Sequence, residues 1–265
     1  EMSASLVGSE MCIRDRESDL AEMMNLGGDE RIYPASMTKI MTALLTIENL
    51  PDLNETITVP EDIFEELTAQ DASVAGFNPY EQPTVRDLLY GVLLPSGADA
   101  CETLARAVGG SEEGFVAMMN QKAEELGLTN THFENCTGLH NDNHYSTCRD
   151  IAVLMSECLK SDTFREIVTR EVYTTEATAS HPEGITLYDT MLHRFTSYEM
   201  STTLENGAVI EGGKTGFTDE AGQCLVSFAE YGGEEYILVT AEAMTDSGSA
   251  VDSIADASTV YGRLQ

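Results

Sequence analysis

The sequence predicts an α+β fold, because helix-period and strand-like segments occupy separate parts of the chain. Helical spacing of apolar residues dominates from residue 36 to residue 169. From residue 172 onward the segments are short and β-rich, and residues 223–228 and 236–241 flank a Tyr231-Gly232-Gly233 turn that is typical of a hairpin. A parallel sheet would instead need strands and helices in alternation.

The first predicted helix begins at Ser36, just after Pro34, and its apolar residues follow a helical period to Leu50. Glycines mark the ends of later helices, as at Gly109-Gly110 and Gly127. Six further helices are predicted at residues 84–93, 99–108, 111–126, 148–160, 161–169 and 247–265. Strand-like runs are predicted at residues 56–59, 172–175, 208–210, 223–228 and 236–241.

The composition excludes several classes of protein. The chain has 265 residues, of which 42% are hydrophobic, enough for the core of one large domain or two small ones. Its formal net charge of -32 would be repelled by phosphate backbones and anionic lipid, which argues against a nucleic-acid binder. The sequence has no run of 18 apolar residues that would indicate a membrane-spanning helix.

Residues 1–16 lack a helix or strand period, and they lack the basic start and apolar stretch of a signal peptide. The stretch SLVGSEMCIRDR resembles a translated sequencing-adapter remnant. We therefore predict that residues 1–16 are a non-native leader and that residues 17–265 form a single domain. The six cysteines form no CxxC pair, so we expect buried small apolar side chains, with room for one disulfide.

The first candidate site is Ser36-Met37-Thr38-Lys39 at the start of a predicted helix. Positions i and i+3 of a helix share a face, so the Ser36 hydroxyl and the Lys39 amine can meet. A neutral amine can take the serine proton and so make the hydroxyl a nucleophile. Burial or a nearby cation lowers the pKa of such an amine. Alone the pattern is weak, because Ser-x-x-Lys arises by chance in most proteins.

Two further motifs offer partners for this pair. Lys214-Thr215-Gly216, on a predicted strand, can hold a carboxylate by charge and hydrogen bond. Ser96, in the Ser96-Gly97-Ala98 helix junction, can relay a proton. Each alone is equally an ordinary strand or helix cap. Together they are more specific, because the three motifs lie about 60 and then about 120 residues apart and contain two of the four lysines.

In this order, the motifs resemble those of the serine-type D-alanyl-D-alanine carboxypeptidases of the peptidase S11 family, the low-molecular-weight penicillin-binding proteins. The stretches around the motifs are similar as well, and the resemblance covers about residues 29–262. These stretches read YPASMTKIMTALL, VRDLLYGVLLPSGADA, NTHFENCTGLHNDNHYST and GGKTGFTDEAG.

The resemblance implies a role for each motif residue. Ser36 would be the acylated nucleophile, Lys39 its general base and Ser96 a proton shuttle. Lys214-Thr215-Gly216 would bind the terminal carboxylate of the substrate. The backbone N–H of Phe217 would form the oxyanion hole together with that of Ser36.

One position departs from the family pattern: Ala98 stands where the middle motif usually has an asparagine that bonds the substrate amide and Lys39. Loss of one positioned polar group can lower a rate by about 10²-fold or more. A weakly active or non-catalytic homologue that binds cell-wall peptide is therefore a second hypothesis.

Two different enzyme classes compete with the carboxypeptidase interpretation. A serine β-lactamase would need a carboxylate that activates the deacylating water, and the sequence has no E-x-x-L-N segment. A zinc peptidase would need ligands from the loop His140-Asn141-Asp142-Asn143-His144, whose composition is more typical of Asx turns.

The resemblance implies a β-lactamase/transpeptidase-like fold, with an antiparallel sheet flanked by helices and a mostly helical lobe. The lobe would take about residues 36–200 and the sheet about 17–35 and 205–265 of one catalytic domain. The expected partners are peptidoglycan stem peptides ending in D-Ala-D-Ala and β-lactams, with no metal or organic cofactor.

The family is secreted or associated with the cell envelope, and it commonly adds a C-terminal β-rich domain and a membrane-anchoring helix. Because the chain stops near the expected end of the catalytic domain, we expect a fragment or a short form, with any membrane contact made by segments outside it.

Overall fold

The computed structural model describes residues 9–15, 21–243 and 252–265. Within them, five antiparallel strands form one sheet, and most of the helices form a region beside it. The strands lie in the order β2 (Ala21–Leu26), β1 (Ser9–Asp15), β7 (Glu234–Ala243), β6 (Gly222–Tyr231) and β5 (Val209–Thr218). Strand β5 is therefore at an edge of the described sheet, which leaves one side of it open to the helical region.

The sheet is covered on both faces, because successive side chains of a strand point to opposite sides. Val226 and Phe228 of β6 join the large core that includes α6 (Cys148–Cys158). Leu225 of β6 faces the other way and joins a second core with α9 (Asp252–Tyr261). This alternation fixes the register of β6 and so of its neighbour β5.

The helical region is built around α1 (Lys39–Asn49), whose residues are all buried from Lys39 to Thr46. A helix that is buried all round must be surrounded by other elements. Helix α1 contacts α3 (Val85–Leu93), α4 (Ala98–Gly109), α5 (Glu112–Glu125), α6 and α7 (Asp162–Val168). The region also contains α2 (Ile63–Ala69), which packs on α4, as well as α8 (Leu192–Ser197) and a hairpin of β3 (Val172–Thr174) and β4 (Thr186–Tyr188).

Local signals explain where several helices begin and end. Thr84 and Asp87 form a capping box at the start of α3, in which each side chain bonds the backbone N–H of the other residue. Ser111 caps α5 by accepting from the N–H of Gly114 at 3.1 Å. Helix α4 ends at Gly110, whose φ of 75° suits glycine.

The predicted α+β class is confirmed, but some elements differ from the sequence expectations. Residues 56–59 form only an isolated bridge, Thr56 to Thr84, rather than a strand. Helices α2 and α8 and strand β4 were not predicted. Of the predicted terminal helix, residues 247–251 lie outside the described part of the chain, and the helix begins at Asp252.

Seven residues of the predicted leader form a strand of the sheet. Ser9–Asp15 form β1, which pairs antiparallel with β2 on one side and β7 on the other. The backbone N–H and C=O groups make this ladder, so a strand can form without a clear side-chain alternation. Residues 1–8 and 16 lie outside the described residues, and a non-native origin of the leader stays a prediction.

The cysteines that the structure describes with their side chains are buried, as predicted for small apolar residues. These are Cys101, Cys136, Cys148, Cys158 and Cys224. Among the described helices, none is long and apolar enough to cross a membrane.

Candidate active site

Ser36 lies in a short 3₁₀ turn, Ala35–Thr38, that leads directly into α1. Two glycines allow other segments to press against this turn. A Cβ on Gly216 of β5 would lie 3.1 Å from the backbone nitrogen of Ser36. A Cβ on Gly138 would lie 1.9 Å from the Ala35 carbonyl oxygen, which is a steric clash. The turn is therefore held between the edge strand and the loop around Gly138.

Lys39 turns its amine back to Ser36, as the i, i+3 spacing predicts. Its Nζ lies 3.0 Å from Ser36 Oγ and 2.6 Å from the carbonyl oxygen of Thr137. Lys39 is only 3% exposed, and this burial lowers the pKa of its amine, because the charged form loses hydration. A lowered pKa favours the neutral amine, which can accept a proton from a serine hydroxyl.

A second lysine and serine meet opposite this pair. Lys214 of β5 donates from Nζ to Ser96 Oγ at 3.0 Å and to the carbonyl oxygen of Thr215 at 2.9 Å. Ser96 stands just before α4 with a φ of 66°, an uncommon backbone conformation for a residue other than glycine. Lys214 has no solvent-exposed surface. The fold thus joins two residues that are far apart in the sequence.

The pKa of Lys214 depends on charged groups in both parts of the site. Burial, and then the positive charge of Lys39, lower the pKa of Lys214 to about 7. Burial also raises the pKa of Asp189 to about 7. The charged forms of Asp189 and Lys214 attract each other, so both groups can change charge near neutral pH.

The remaining predicted binding residues lie along the same strand. The Thr215 hydroxyl is 2.6 Å from that of Thr190, a side chain in the segment before α8. Gly216 follows, beside the Ser36 turn, and then Phe217, whose side chain is 54% exposed. Strand β5 therefore presents a hydroxyl, a glycine and an exposed aromatic side chain next to the nucleophile turn.

The structure thus brings the predicted residues together in two contact pairs and one strand. Ser36 contacts Lys39, and Ser96 contacts Lys214. Gly216 packs against Ser36. Whether these residues carry out the predicted chemistry stays a prediction.

Sequence reasoning missed three groups that shape the site. The Thr137 carbonyl accepts from Lys39, Asp189 acts electrostatically on Lys214, and Thr190 bonds Thr215. The first lies within the NTHFENCTGLHNDNHYST stretch, whose similarity to the family was its only signal. Nothing in the local pattern around Asp189 and Thr190 marks them, because their roles arise from tertiary contacts.

Ala98 is buried in the first turn of α4, and its N–H donates to the Ser73 carbonyl oxygen at 2.7 Å. Its methyl group offers no hydrogen bond to the site. The next residue, Asp99, accepts from the N–H groups of Ala75, Gly76 and Phe77 at 2.7 to 3.1 Å. Asp99 therefore fixes the segment before α3 against the start of α4.

The two histidines of the loop considered for zinc, His140 and His144, contact other protein groups. His144 is buried, its Nδ1 accepts from the N–H of Glu134 at 3.1 Å, and its Nε2 lies 2.8 Å from the Thr38 hydroxyl. Burial lowers the pKa of His144 to about 3. His140 packs edge-on against the Tyr33 ring. In the described part of the chain these two histidines do not belong to a cluster of potential metal ligands.

Comparisons with known proteins identify relatives of this chain. The peptidase S11 family, described as D-alanyl-D-alanine carboxypeptidase, matches residues 20–245. The D-alanyl-D-alanine carboxypeptidase DacF of Bacillus subtilis is 35% identical over 231 residues, which are 86% of this chain and 56% of that protein. The chain therefore spans little more than half the length of that relative.

Streptomyces sp. strain K15 supplies both a sequence relative and a solved structure. Its D-alanyl-D-alanine carboxypeptidase is 36% identical over 217 residues, covering 79% of this chain and 72% of that protein. The crystal structure of the Streptomyces K15 DD-transpeptidase matches with a TM-score of 0.81 and 30% identity, covering 99% of this chain and 98% of the other. The transpeptidase-like fold and the family resemblance are both confirmed: the chain belongs to the peptidase S11 family of D-alanyl-D-alanine carboxypeptidases.

Proposed function

We propose that this protein is a serine carboxypeptidase that removes the terminal D-alanine from peptidoglycan stem peptides through an acyl-enzyme on Ser36. The observation that carries the proposal is the 3.0 Å contact between the buried Lys39 amine and Ser36 Oγ. The names of its relatives, which are D-alanyl-D-alanine carboxypeptidases, support the substrate class. Because peptidoglycan lies outside the cytoplasm, we propose an extracytoplasmic site of action.

The first step would be acylation. The neutral Lys39 amine takes the Ser36 proton while Oγ attacks the carbonyl carbon between the last two D-alanines. The carbonyl oxygen becomes an oxyanion, which the N–H groups of Ser36 and Phe217 would stabilise. Lys214 and Thr215 would hold the terminal carboxylate of the peptide.

Release of D-alanine needs a proton on the leaving amine. Ser96 Oγ accepts from Lys214, so its own hydrogen is free to point towards the departing nitrogen. Ser96 would therefore hand its proton to the amine and receive in exchange the proton that Lys39 took from Ser36. Water then attacks the ester on Ser36, with Lys39 again as the base, and frees the shortened peptide.

The proposed reaction can be tested with diacetyl-L-Lys-D-Ala-D-Ala. We expect the wild-type protein to release one D-alanine for each peptide cleaved, measured by a D-amino-acid-specific assay. The same tripeptide ending in L-alanine is the matched control and should stay intact. Absence of release, with penicillin still bound covalently, would favour a non-catalytic homologue, and rapid turnover of nitrocefin would favour a β-lactamase.

The pH dependence of substrate binding should report on Lys214. The pKa of its amine is lowered to about 7, so raising the pH above 7 removes the positive charge that attracts the peptide carboxylate. The carboxylate itself stays ionised, since its pKa is about 3.5. We therefore expect KM to rise with pH above about 7, by up to about tenfold per unit.

The control for this pH effect is a peptide that ends in a neutral carboxamide. It lacks the charge that Lys214 attracts, so its inhibition constant should change little between pH 6 and pH 9. A KM for the acid peptide that is constant over the same range would contradict the assigned role of Lys214.

A further inference from the structure

The position of the Lys39 amine depends on the Thr137 carbonyl, and the residue before Thr137 is held by several hydrogen bonds. Among the described residues, the side chain of Lys39 bonds only Ser36 Oγ and the Thr137 carbonyl oxygen. The bond to Thr137 is the shorter one, at 2.6 Å against 3.0 Å. A shift of Thr137, or of Cys136 to which it is joined, would therefore shift the amine relative to Ser36.

Cys136 has a partner for each of its polar groups. Its N–H donates to Glu112 Oε1 at 3.3 Å, and its carbonyl accepts from the Thr42 hydroxyl at 2.6 Å. Its thiol donates to Glu102 Oε1 at 3.4 Å. Two of the three contacts thus come from carboxyl groups of α4 and α5, outside the motifs that point to the active site.

The two carboxyl groups also act on each other. Ligand atoms of Glu102, Glu112 and Cys136 all lie within 4.8 Å of one another. Two carboxyl groups this close can share a hydrogen bond only when one of them carries a proton. Burial, followed by the negative charge of Glu112, raises the pKa of Glu102 to about 7.

Solvent reaches this pair through a cavity of about 230 Å³ between α2, α4, α5 and the loop around Thr137. The charged and titratable groups that face Glu102 there are Glu66 of α2, Arg106 of α4, Glu112 of α5, and Glu134, Cys136 and His140 of the loop. The nearest cation is Arg106, whose Nε lies 3.6 Å from Glu102 Oε2. Arg106 also pairs with Asp62 at 2.7 Å, so its charge is shared.

We propose that Glu102 and Glu112 are positioning residues, which hold Cys136 and, through the carbonyl of the adjoining Thr137, set the Lys39 amine against Ser36. The inference rests on the proposed function, because it concerns the rate at which Ser36 is acylated. With a proton on Glu102, the pair bonds internally and keeps both contacts to Cys136. Without that proton, two carboxylates repel each other and loosen their contacts to Cys136.

The test measures the first-order rate constant of Ser36 acylation by a fluorescent penicillin between pH 5.5 and pH 8.5. Glu112→Ala loses the acceptor for the Cys136 N–H, and we expect acylation to slow by about 10- to 100-fold, as for a misplaced catalytic group. The dissociation constant of the noncovalent penicillin complex should not change. Glu112→Gln keeps an acceptor oxygen and should restore most of the rate.

Glu102→Gln tests the electrostatic part of the proposal. The wild-type acylation profile should contain a downward component near pH 7, and Glu102→Gln should lose that component because its amide does not ionise. Glu66→Gln, an exposed carboxylate on the same cavity with no contact to Cys136, is the matched control and should retain the wild-type profile.

Three outcomes would overturn the proposal. Wild-type acylation in folded Glu112→Ala would do so, as would Glu112→Gln being as slow as Glu112→Ala. If Glu112→Ala does not fold, an unchanged pH profile in Glu102→Gln decides against it. A wild-type protein that takes no label would overturn the proposed function as well, whereas a labelled wild type with unaffected Glu112 variants overturns only the positioning role.

Discussion

Ser36→Ala is expected to abolish covalent labelling by penicillin. The strained amide of a β-lactam mimics the D-Ala-D-Ala bond, and only a nucleophile next to a base can open it and keep the acyl group. Ser36 Oγ is 3.0 Å from the amine of Lys39. Burial lowers the pKa of this amine and so favours its neutral form. Removal of the nucleophile from a serine enzyme costs on the order of 10⁶-fold in rate, so no adduct should accumulate.

Intact-mass analysis is the measurement for this prediction. The wild-type protein should gain the mass of one penicillin, and digestion should map the adduct to the peptide that contains Ser36. Ser161→Ala is a suitable control, because Ser161 caps α7 by accepting from the Phe164 N–H and takes no part in the site. An adduct of equal yield in Ser36→Ala would refute the assignment and direct attention to Ser96.

Long periodic segments of the fold could be predicted from the sequence, and short or unusual ones could not. The helix that begins near Ser36 has a buried face along its length, and its periodicity is clear. Helix α2 has only seven residues and carries Glu65 and Glu66 in its first turn, so it offers too short an apolar pattern to predict a helix. Strand β1 was not predicted, because its sequence shows no alternation of apolar and polar residues. Its backbone nevertheless pairs with a strand on each side.

Some contacts of the candidate site could also be predicted from the sequence, and others could not. The contact between Ser36 and Lys39 follows from their spacing within one helical turn, so the sequence alone predicts it. No spacing rule joins Lys214 to Ser96, and only the family resemblance predicted that these two residues, 3.0 Å apart in the structure, share one site. The Thr137 carbonyl is a backbone group, and its contact with Lys39 depends on the tertiary position of a loop. The residue types in that loop do not predict this position.

The site places two positively ionisable groups close together in a chain whose net charge is -32. Of the four lysines, Lys39 and Lys214 are buried side by side closely enough that the charge of one lowers the pKa of the other. Burial alone would favour two neutral amines. An anionic peptide end would favour the charged form of Lys214, while Lys39 stays available as a base.

Lys39→Met should separate catalysis from stability. The amine is the base that takes the Ser36 proton, and loss of a general base lowers a rate by about 10² to 10⁴-fold. The folded state lowers the pKa of Lys39, so the unfolded chain binds more protons and the charged lysine opposes folding. Methionine removes that cost while filling similar space, so we expect a melting temperature equal to or above that of the wild type.

The pH dependence of the stability difference between Lys39→Met and the wild type is a further test. A depressed lysine pKa makes the wild type gain stability as the pH rises through the folded-state pKa, and Lys39→Met should lose that gain. The advantage of the variant should therefore be largest at acidic pH. Lys160→Met, which alters an exposed lysine paired with Glu157, is the control and should acylate at the wild-type rate. Slow acylation together with a lower melting temperature in Lys39→Met would contradict the argument, because the loss would then reflect damaged packing rather than a missing base.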